Sequence, residues 1–194
     1  MVSSVSYARA EEALSTRLST GALAHSRRVA QAAAELADTY GVDVEQARLA
    51  GLLHDWNRDL SNEALAVEAR AMGGDATDVD TLVPYLLHAR TGASSAAFAL
   101  PGLDDEVVDA IARHTIGAPE MTDLDKVVYL ADMLEPGRKH APLEDVRKGI
   151  GVLPLDDLFF VGYAASLRHL IDAGKLIHPE TVAVWNSLVE SRRP

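Results

Sequence analysis

The chain contains no cysteine. That excludes disulfides, thiolate metal ligands and cysteine nucleophiles, and it is compatible with a reducing interior. Aromatic residues are scarce at 5%, β-branched runs are few, and Ala and Leu carry much of the 48% hydrophobic content, a balance that favours helix over strand. No apolar run reaches membrane-spanning length, and the opening Met1-Val2-Ser3-Ser4-Val5-Ser6 lacks a basic region followed by an apolar core. The expectation is a cytoplasmic protein without a membrane partner. Positive charge is also in deficit, the formal net charge being -11. An acidic surface repels polyanions, so bulk nucleic acid is not an expected partner. A phosphorylated substrate would have to be attracted locally, by metal ions and a few Arg or Lys in a cleft.

With 194 residues the chain can bury a full core as one domain, and it shows no repeat, low-complexity segment or composition shift. The fold class expected is all-α, a single helical bundle. Helix signals succeed one another along it. A lead-in helix covers 6–18, and a second runs from Ser19-Thr20-Gly21 to Tyr40-Gly41. Asp43 with Gln46 resembles a capping box for a third, and Ser61 caps a helix ending at Gly73-Gly74. After Pro84 a helix spans roughly 88 to 99. Asp104 and then Thr122 with Asp125 open two more, Glu135-Pro136-Gly137-Arg138 breaks the chain, Asp156 starts a long helix closed by Gly174, and His178-Pro179-Glu180-Thr181 opens the last.

Against that frame the stretch Gly51-Leu52-Leu53-His54-Asp55 stands out, because an apolar helix ends in a His-Asp doublet. Neutral imidazole and carboxylate both bind divalent metals such as Fe, Mn, Co, Ni and Zn. His25 shares a helical face with Val29, Ala32, Leu36 and Tyr40, and His54 one with Ala47, Ala50 and Gly51. His114 falls in a stripe with Val107, Ala110 and Ile111, and Asp132 in one with Leu124, Val128 and Ala131. A carboxylate on an apolar stripe is costly to bury unless it is paired, hydrogen-bonded or bound to metal. His25, His54, Asp55, His88, His114 and Asp132 together supply four imidazoles and two carboxylates, enough for two ions. Each inward histidine alone is also explained as a core residue bonded to backbone.

The order His25, His54-Asp55, Asp132 on successive helices resembles the HD-domain superfamily of metal-dependent phosphohydrolases. Within it, His25-Ser26-Arg27-Arg28-Val29-Ala30, Ala50 to Asp55, Leu86-Leu87-His88, Ala110 to Gly117, Leu130 to Arg138 and Ile177 to Thr181 followed by Asn186 are similar to the YqeK-type branch. The resemblance spans nearly the whole chain after about residue 15, and it divides the chain into a lead-in helix at 1–18, an HD domain at 19–190 and a tail at 191–194. It implies hydrolysis of the small-molecule substrate diadenosine tetraphosphate to two ADP by a metal-activated water at a dinuclear iron centre. His25, His54, Asp55 and Asp132 would hold one ion, and Asp55 as a bridge, with His88 and His114, the other. Two cations lower the pKa of a bridging water and neutralise a polyphosphate.

Arg58, Arg90 and Arg138 are the natural phosphate ligands beside these motifs, Arg58 first, with His54, Asp55 and Arg58 in catalytic roles. Thr115 and Gly117 shape the turn after His114 and are candidates for a substrate contact. The family usually has Lys at the position of Arg58, tends to have Arg where this chain has Ala22, and tends to have Gly-Pro or similar where it has Ala89-Arg90. These departures bear on substrate positioning, not on metal binding. Trp56 is either a base-stacking or a core residue, and His140, His169 and His178 read as structural. Other HD nucleotide phosphohydrolases share the same ligands, so nucleotidase, deoxynucleotide triphosphatase and cyclic-dinucleotide or alarmone phosphodiesterase activities are alternatives. A non-catalytic nucleotide-sensing or partner-binding helical domain is another. The oligomeric state is open, a homodimer being compatible with the sequence.

Overall fold

The computed structural model describes residues 4–73, 76–138 and 141–193, without the side chains of Ala141 and Pro142. His140 lies outside the described residues. Among the described residues every regular element is helical, as the composition requires.

The centre of the fold is a pair of closely packed helices, α2 (Thr20–Tyr40) and α3 (Val44–Leu53), with α1 (Tyr7–Ser15) laid against α3. Ser19 caps α2 by accepting from the Ala22 amide, and Gly41 ends it at φ 71°, a left-handed conformation that suits glycine. Asp43 caps α3 from one side only, accepting from the Glu45 and Gln46 amides. The small residues of α3 let the helices approach closely: a Cβ on Gly51 would lie 3.0 Å from the Ala30 Cα and from the Val29 carbonyl oxygen. His25 and His54 are thereby brought to one place from different helices.

After the His54-Asp55 turn, α4 (Asn62–Ala71) is capped by Ser61, and the predicted helix 88–99 is α6 (His88–Ala99). Between them lie two short elements absent from the sequence reading. They are α5 (Asp78–Leu82), held by a reciprocal Thr77–Asp80 capping box, and a 3-10 turn over Pro84–Leu87. Both are too short for hydrophobic periodicity to register. Next come α7 (Asp105–Arg113) and α8 (Asp123–Leu134), the latter opened by the expected Thr122–Asp125 box. They pack on α6, α3 and α2, burying Val107, Ala110, Ile111, Val127, Val128 and Leu130 completely.

A second unforeseen helix, α9 (Ala141–Lys148), precedes α10 (Leu155–Asp172), and α11 (Pro179–Glu190) closes the chain behind a His178 cap. Its sequence signal was Pro142 in the first turn with Leu143 and Val146 three apart. Trp56 is buried in the core with the Arg17 guanidinium 4.9 Å from its ring centroid, so it is a packing residue and not a base platform.

His178 also reaches across the fold. Its Nε2 lies 3.5 Å from the Asp80 Oδ1, which the Arg90 guanidinium meets at 3.0 Å, so a buried carboxylate joins α5, α6 and the start of α11. Burial works against ionising Asp80, but the Thr77 amide and hydroxyl, Arg90 and His178 outweigh it and hold its pKa below the usual carboxylate range. A carboxyl with a depressed folded-state pKa stabilises above its unfolded value and loses that contribution as pH falls through the folded one. Asp80→Asn should therefore cost about 1–3 kcal/mol at neutral pH, and the difference from wild type should shrink as pH drops below about 4. Urea denaturation at several pH values measures this. A gap that stays constant into acid would show that the charge of Asp80 contributes nothing.

Candidate metal centre

The doublet sits in a tight turn closed by Trp56 N–H to Leu53 O and Arg58 N–H to Asp55 O bonds, at 3.0 and 2.9 Å. Buried Asn57 fixes that turn to its surroundings. Its Oδ1 accepts from the Arg17 guanidinium at 2.9 Å, and its Nδ2 donates to Glu68 at 2.6 Å and to Thr91 at 3.1 Å. α6 lies against the turn at Gly92, where even an added Cβ would be in ordinary contact, 3.4 Å from the Asn57 amide nitrogen. His88, the first residue of α6, is thereby set opposite Asp55.

The structure brings His25, His54, Asp55, His88, His114 and Asp132 together. Asp55 lies in the middle with its two oxygens facing different histidines. Its Oδ2 is 3.3 Å from the His54 Nε2 and 3.7 Å from the His25 Nε2, while its Oδ1 is 3.2 Å from the His88 Nε2 and 3.8 Å from the His114 Nε2. Asp132 completes the first side, its Oδ1 being 3.0 Å from the His25 Nε2 and 3.8 Å from the His54 Nε2. Two groups that can each hold an ion result, His25–His54–Asp55 and Asp55–His88–His114, with Asp55 common to both.

All four imidazoles are presented alike. His54, His88 and His114 each follow the last turn of a helical segment and donate Nδ1–H to the carbonyl three residues back, of Gly51, Tyr85 and Ile111, at 2.8, 2.7 and 2.7 Å. His25 lies inside α2, where the carbonyls are engaged in the helix, and uses a side chain instead: its Nδ1 is 3.3 Å from the Glu135 Oε1. Glu135 is buried, accepts from the Arg28 guanidinium at 2.7 Å and from the Gly137 amide at 2.6 Å, and so stays ionised. Holding Nδ1 as a donor makes Nε2 the nitrogen that offers a lone pair to an ion once each ring is neutral.

The donor set fits divalent cations by a direct test. The Nε2 atoms of His25 and His54 and the Oδ1 of Asp55 are buried without a hydrogen-bond partner. Ligands bound at about 2.0–2.2 Å around one ion stand roughly 3 Å apart, the order of separation seen here. Burial opposes the charge on Asp132, but His25, His54 and Arg138 outweigh it and keep its pKa far below the ordinary range; Asp55 is lowered likewise by His54, His88 and His114. Burial also opposes a charge on His54, yet Asp55 and Asp132 push its pKa up to about 9. Burial and the nearby imidazoles of His54 and His88 push the His114 pKa down to about 3. Both carboxylates are thus ready as anions, and binding a cation must displace the His54 proton.

A cavity of about 750 Å³ opens from the cluster. Arg58, Thr115 and Arg138, singled out from the sequence as candidate substrate contacts, line it. Arg58 lies 3.5 Å from Asp55, and the Arg138 Nη2 donates to the Asp132 Oδ1 at 2.9 Å. Arg90 and Gly117 are not brought there. Arg90 turns to Asp80, and Gly117, at φ 86°, packs its turn against Tyr163 and Val184. Tyr85 was missed by the sequence reading although it lines the cavity. Its ring stacks on His88 at 4.7 Å, and the Arg58 guanidinium lies 4.9 Å from its centroid. An aromatic three residues before a candidate ligand was the available signal. His169, read as structural, also lines the cavity, on α10.

Four histidines that form two ion-holding groups around one shared, buried aspartate supply the donor set that a metal-dependent phosphohydrolase needs. The HD domain family matches over residues 22–137, and the chain belongs to that family. It is 30% identical over 167 residues to the symmetrical bis(5'-nucleosyl)-tetraphosphatase of Bacillus subtilis, covering 85% of this chain and 88% of that one. The protein of the same name from Halalkalibacterium halodurans is 31% identical, with 85% and 87% covered. The crystal structure of an HD superfamily hydrolase from Clostridium acetobutylicum, described as involved in NAD metabolism, superimposes with a TM-score of 0.89 at 31% identity, covering 97% and 99% of the two chains. Among the described residues no helix is long and apolar enough to cross a membrane.

Glu135→Gln keeps the shape of the His25 partner but removes its charge. Apparent affinity for divalent metal, measured by titration with a competing chelator, should fall about 10- to 100-fold while the helical circular-dichroism signal is retained. Unchanged affinity would show that Glu135 merely anchors Arg28.

Proposed function

We propose that the protein hydrolyses diadenosine tetraphosphate symmetrically to two ADP. The observation that carries this reading is the position of Asp55 between two imidazole groups, at the end of a cavity large enough for a nucleotide and lined by two arginines. The curated relatives with that activity in their names, matched over most of their length, support it. His25, His54, Asp55 and Asp132 would hold one ion, and Asp55, His88 and His114 would hold the second. Two bound cations, iron foremost and Mn, Co, Ni or Zn as substitutes, supply Lewis acidity at the attacked phosphorus and lower the pKa of a water.

The remaining work falls to side chains. Asp55 and the Nδ1-tethered histidines fix the spacing of the centre. Arg58, within 3.5 Å of Asp55, meets polyphosphate charge left over at the reacting phosphate, with Arg138 on the Asp132 side. The Thr115 hydroxyl, 3.0 Å from the His114 Nε2, stands beside the same phosphate. Local cations thus overcome the repulsion expected from the acidic surface. The protein acts on a small dinucleotide, in the cytoplasm, without membrane or bulk nucleic acid as partner.

Anaerobically iron-loaded protein incubated with a nucleotide panel, with products resolved chromatographically, tests the reading. The expected result is ADP as the sole nucleotide product from diadenosine tetraphosphate. AMP with ATP, or turnover confined to mononucleotides or cyclic phosphodiesters, would overturn it in favour of another HD phosphohydrolase activity. In the same assay Asp55→Ala should abolish turnover and lose metal. Arg58→Ala should lower kcat/KM about ten- to a hundredfold with metal retained, and Arg58→Lys should recover much of that. An Arg58→Ala protein with unchanged kcat/KM would leave the phosphate to the ions and Arg138.

A further inference from the structure

The cavity extends well beyond the histidine cluster. Past Asp132 its walls are apolar, with Met133 from α8, Leu143 and Val146 from α9, and Val161 and Ala165 from α10. Arg168, His169 and Asp172, on the last turns of α10, line it too. Its volume of about 750 Å³ is that of a pocket for a whole nucleotide rather than for a phosphate group alone.

Three arginines line this space, and they differ in one respect. Arg58 is 3.5 Å from Asp55 and Arg138 is 2.9 Å from Asp132, so both are already turned to carboxylates of the centre. The Arg168 side chain makes no ion pair or hydrogen bond with any described residue. Besides Asp132, two acidic residues line the cavity, and neither pairs with Arg168. Asp145 is held by Lys148 at 2.8 Å. Asp172, four positions on, forms no ion pair with it, consistent with the weaker base-before-acid order along a helix. A cation lining a pocket with no side-chain partner among the described residues, in a chain of net charge -11, is placed to meet an anion brought by the ligand.

We propose that Arg168 is a specificity-determining residue of the site. Its guanidinium pairs with a phosphate of the nucleotide half that lies along the α10 wall, away from the reacting phosphate. The base of that half rests against the apolar surface of Val161 and Ala165. Arg168 thereby favours long dinucleoside polyphosphates over ligands too short to reach from the centre to α10. This rests on the reading of the substrate as a dinucleoside polyphosphate.

The test uses the full-length, metal-loaded chain. Arg168→Ala should raise KM for diadenosine tetraphosphate about tenfold, the lower end expected for a solvent-exposed charged hydrogen bond, with kcat changed less than about twofold. Arg168→Lys should restore most of the loss. Lys175→Ala, which removes an equal charge outside the cavity, is the control for net charge. In parallel, isothermal titration should show ADP binding to Arg168→Ala weakened about tenfold and adenosine binding unchanged, because only ADP carries phosphate. An unchanged KM and ADP affinity overturn the proposal and leave the hydrolase reading intact. Equal losses for ADP and adenosine also overturn it, since they show a wall shape effect rather than a charge contact. If wild type fails to hydrolyse diadenosine tetraphosphate yet its ADP affinity depends on Arg168, the substrate reading falls and the Arg168 contact stands. A wild-type protein that binds no ADP overturns the contact itself.

Discussion

Everything in the site depends on the tethering of Nδ1 in four histidines. An imidazole offers either nitrogen to an ion, and a free ring samples both; here a carbonyl or a carboxylate holds Nδ1 on each ring, so Nε2 alone faces the centre. Three of the tethers come without extra residues. A histidine placed just after a helical turn finds the carbonyl three positions back within reach of its ring, because the last carbonyls of a helix lack α-helical partners within it; the Tyr85 carbonyl accepts the His88 amide as well as its ring. The ends of α3, the 3-10 turn and α7 are therefore at once structural termini and the source of ring orientation. The fourth histidine, inside α2, needs Glu135, and Glu135 needs Arg28 and the Gly137 amide to remain a buried anion. The break after α8 thus supports His25 as well as ending a helix.

The electrostatics follow a division of labour between surface and cleft. A chain of net charge -11 has a poor surface for phosphates, yet Arg58, Arg138 and Arg168 line one cavity, the first two beside the carboxylates of the centre. Two of those arginines balance the buried carboxylates while no ion is bound, which keeps the site from paying a large desolvation penalty on folding. Arg90, also next to a histidine in sequence, has a different task, since it neutralises Asp80 and ties α5 to α6.

The helices with long apolar stripes were legible in the sequence, and so was the histidine and aspartate set, because burial and chemistry fall on the same positions. His54 lies on the stripe of Ala47, Ala50 and Gly51, and Asp132 on that of Leu124, Val128 and Ala131, so periodicity alone turned both inward. What escaped has the opposite character. α5 and the 3-10 turn are shorter than the window in which a helical period can be seen, and α9 offered only Pro142 and the Leu143–Val146 pair. Tyr85 and the α10 wall enter the site through the crossing of helices distant in sequence, and nothing in their local spacing marks the cavity side of α10. Arg90 and Gly117 show the converse: nearness in sequence to a ligand did not put them in the cavity, because the first turn of α6 points Arg90 at Asp80 and Gly117 serves a left-handed turn.

The central claim is that Asp55 is shared by two ions, which makes the centre one unit rather than two neighbouring sites. The most direct measurement is electron paramagnetic resonance of the metal-free protein titrated with Mn2+ to saturation. A carboxylate bridge requires the spectrum to pass to that of an exchange-coupled pair as the second equivalent binds. A spectrum that remains the sum of isolated ions, or binding that stops at one ion per chain, would contradict the account.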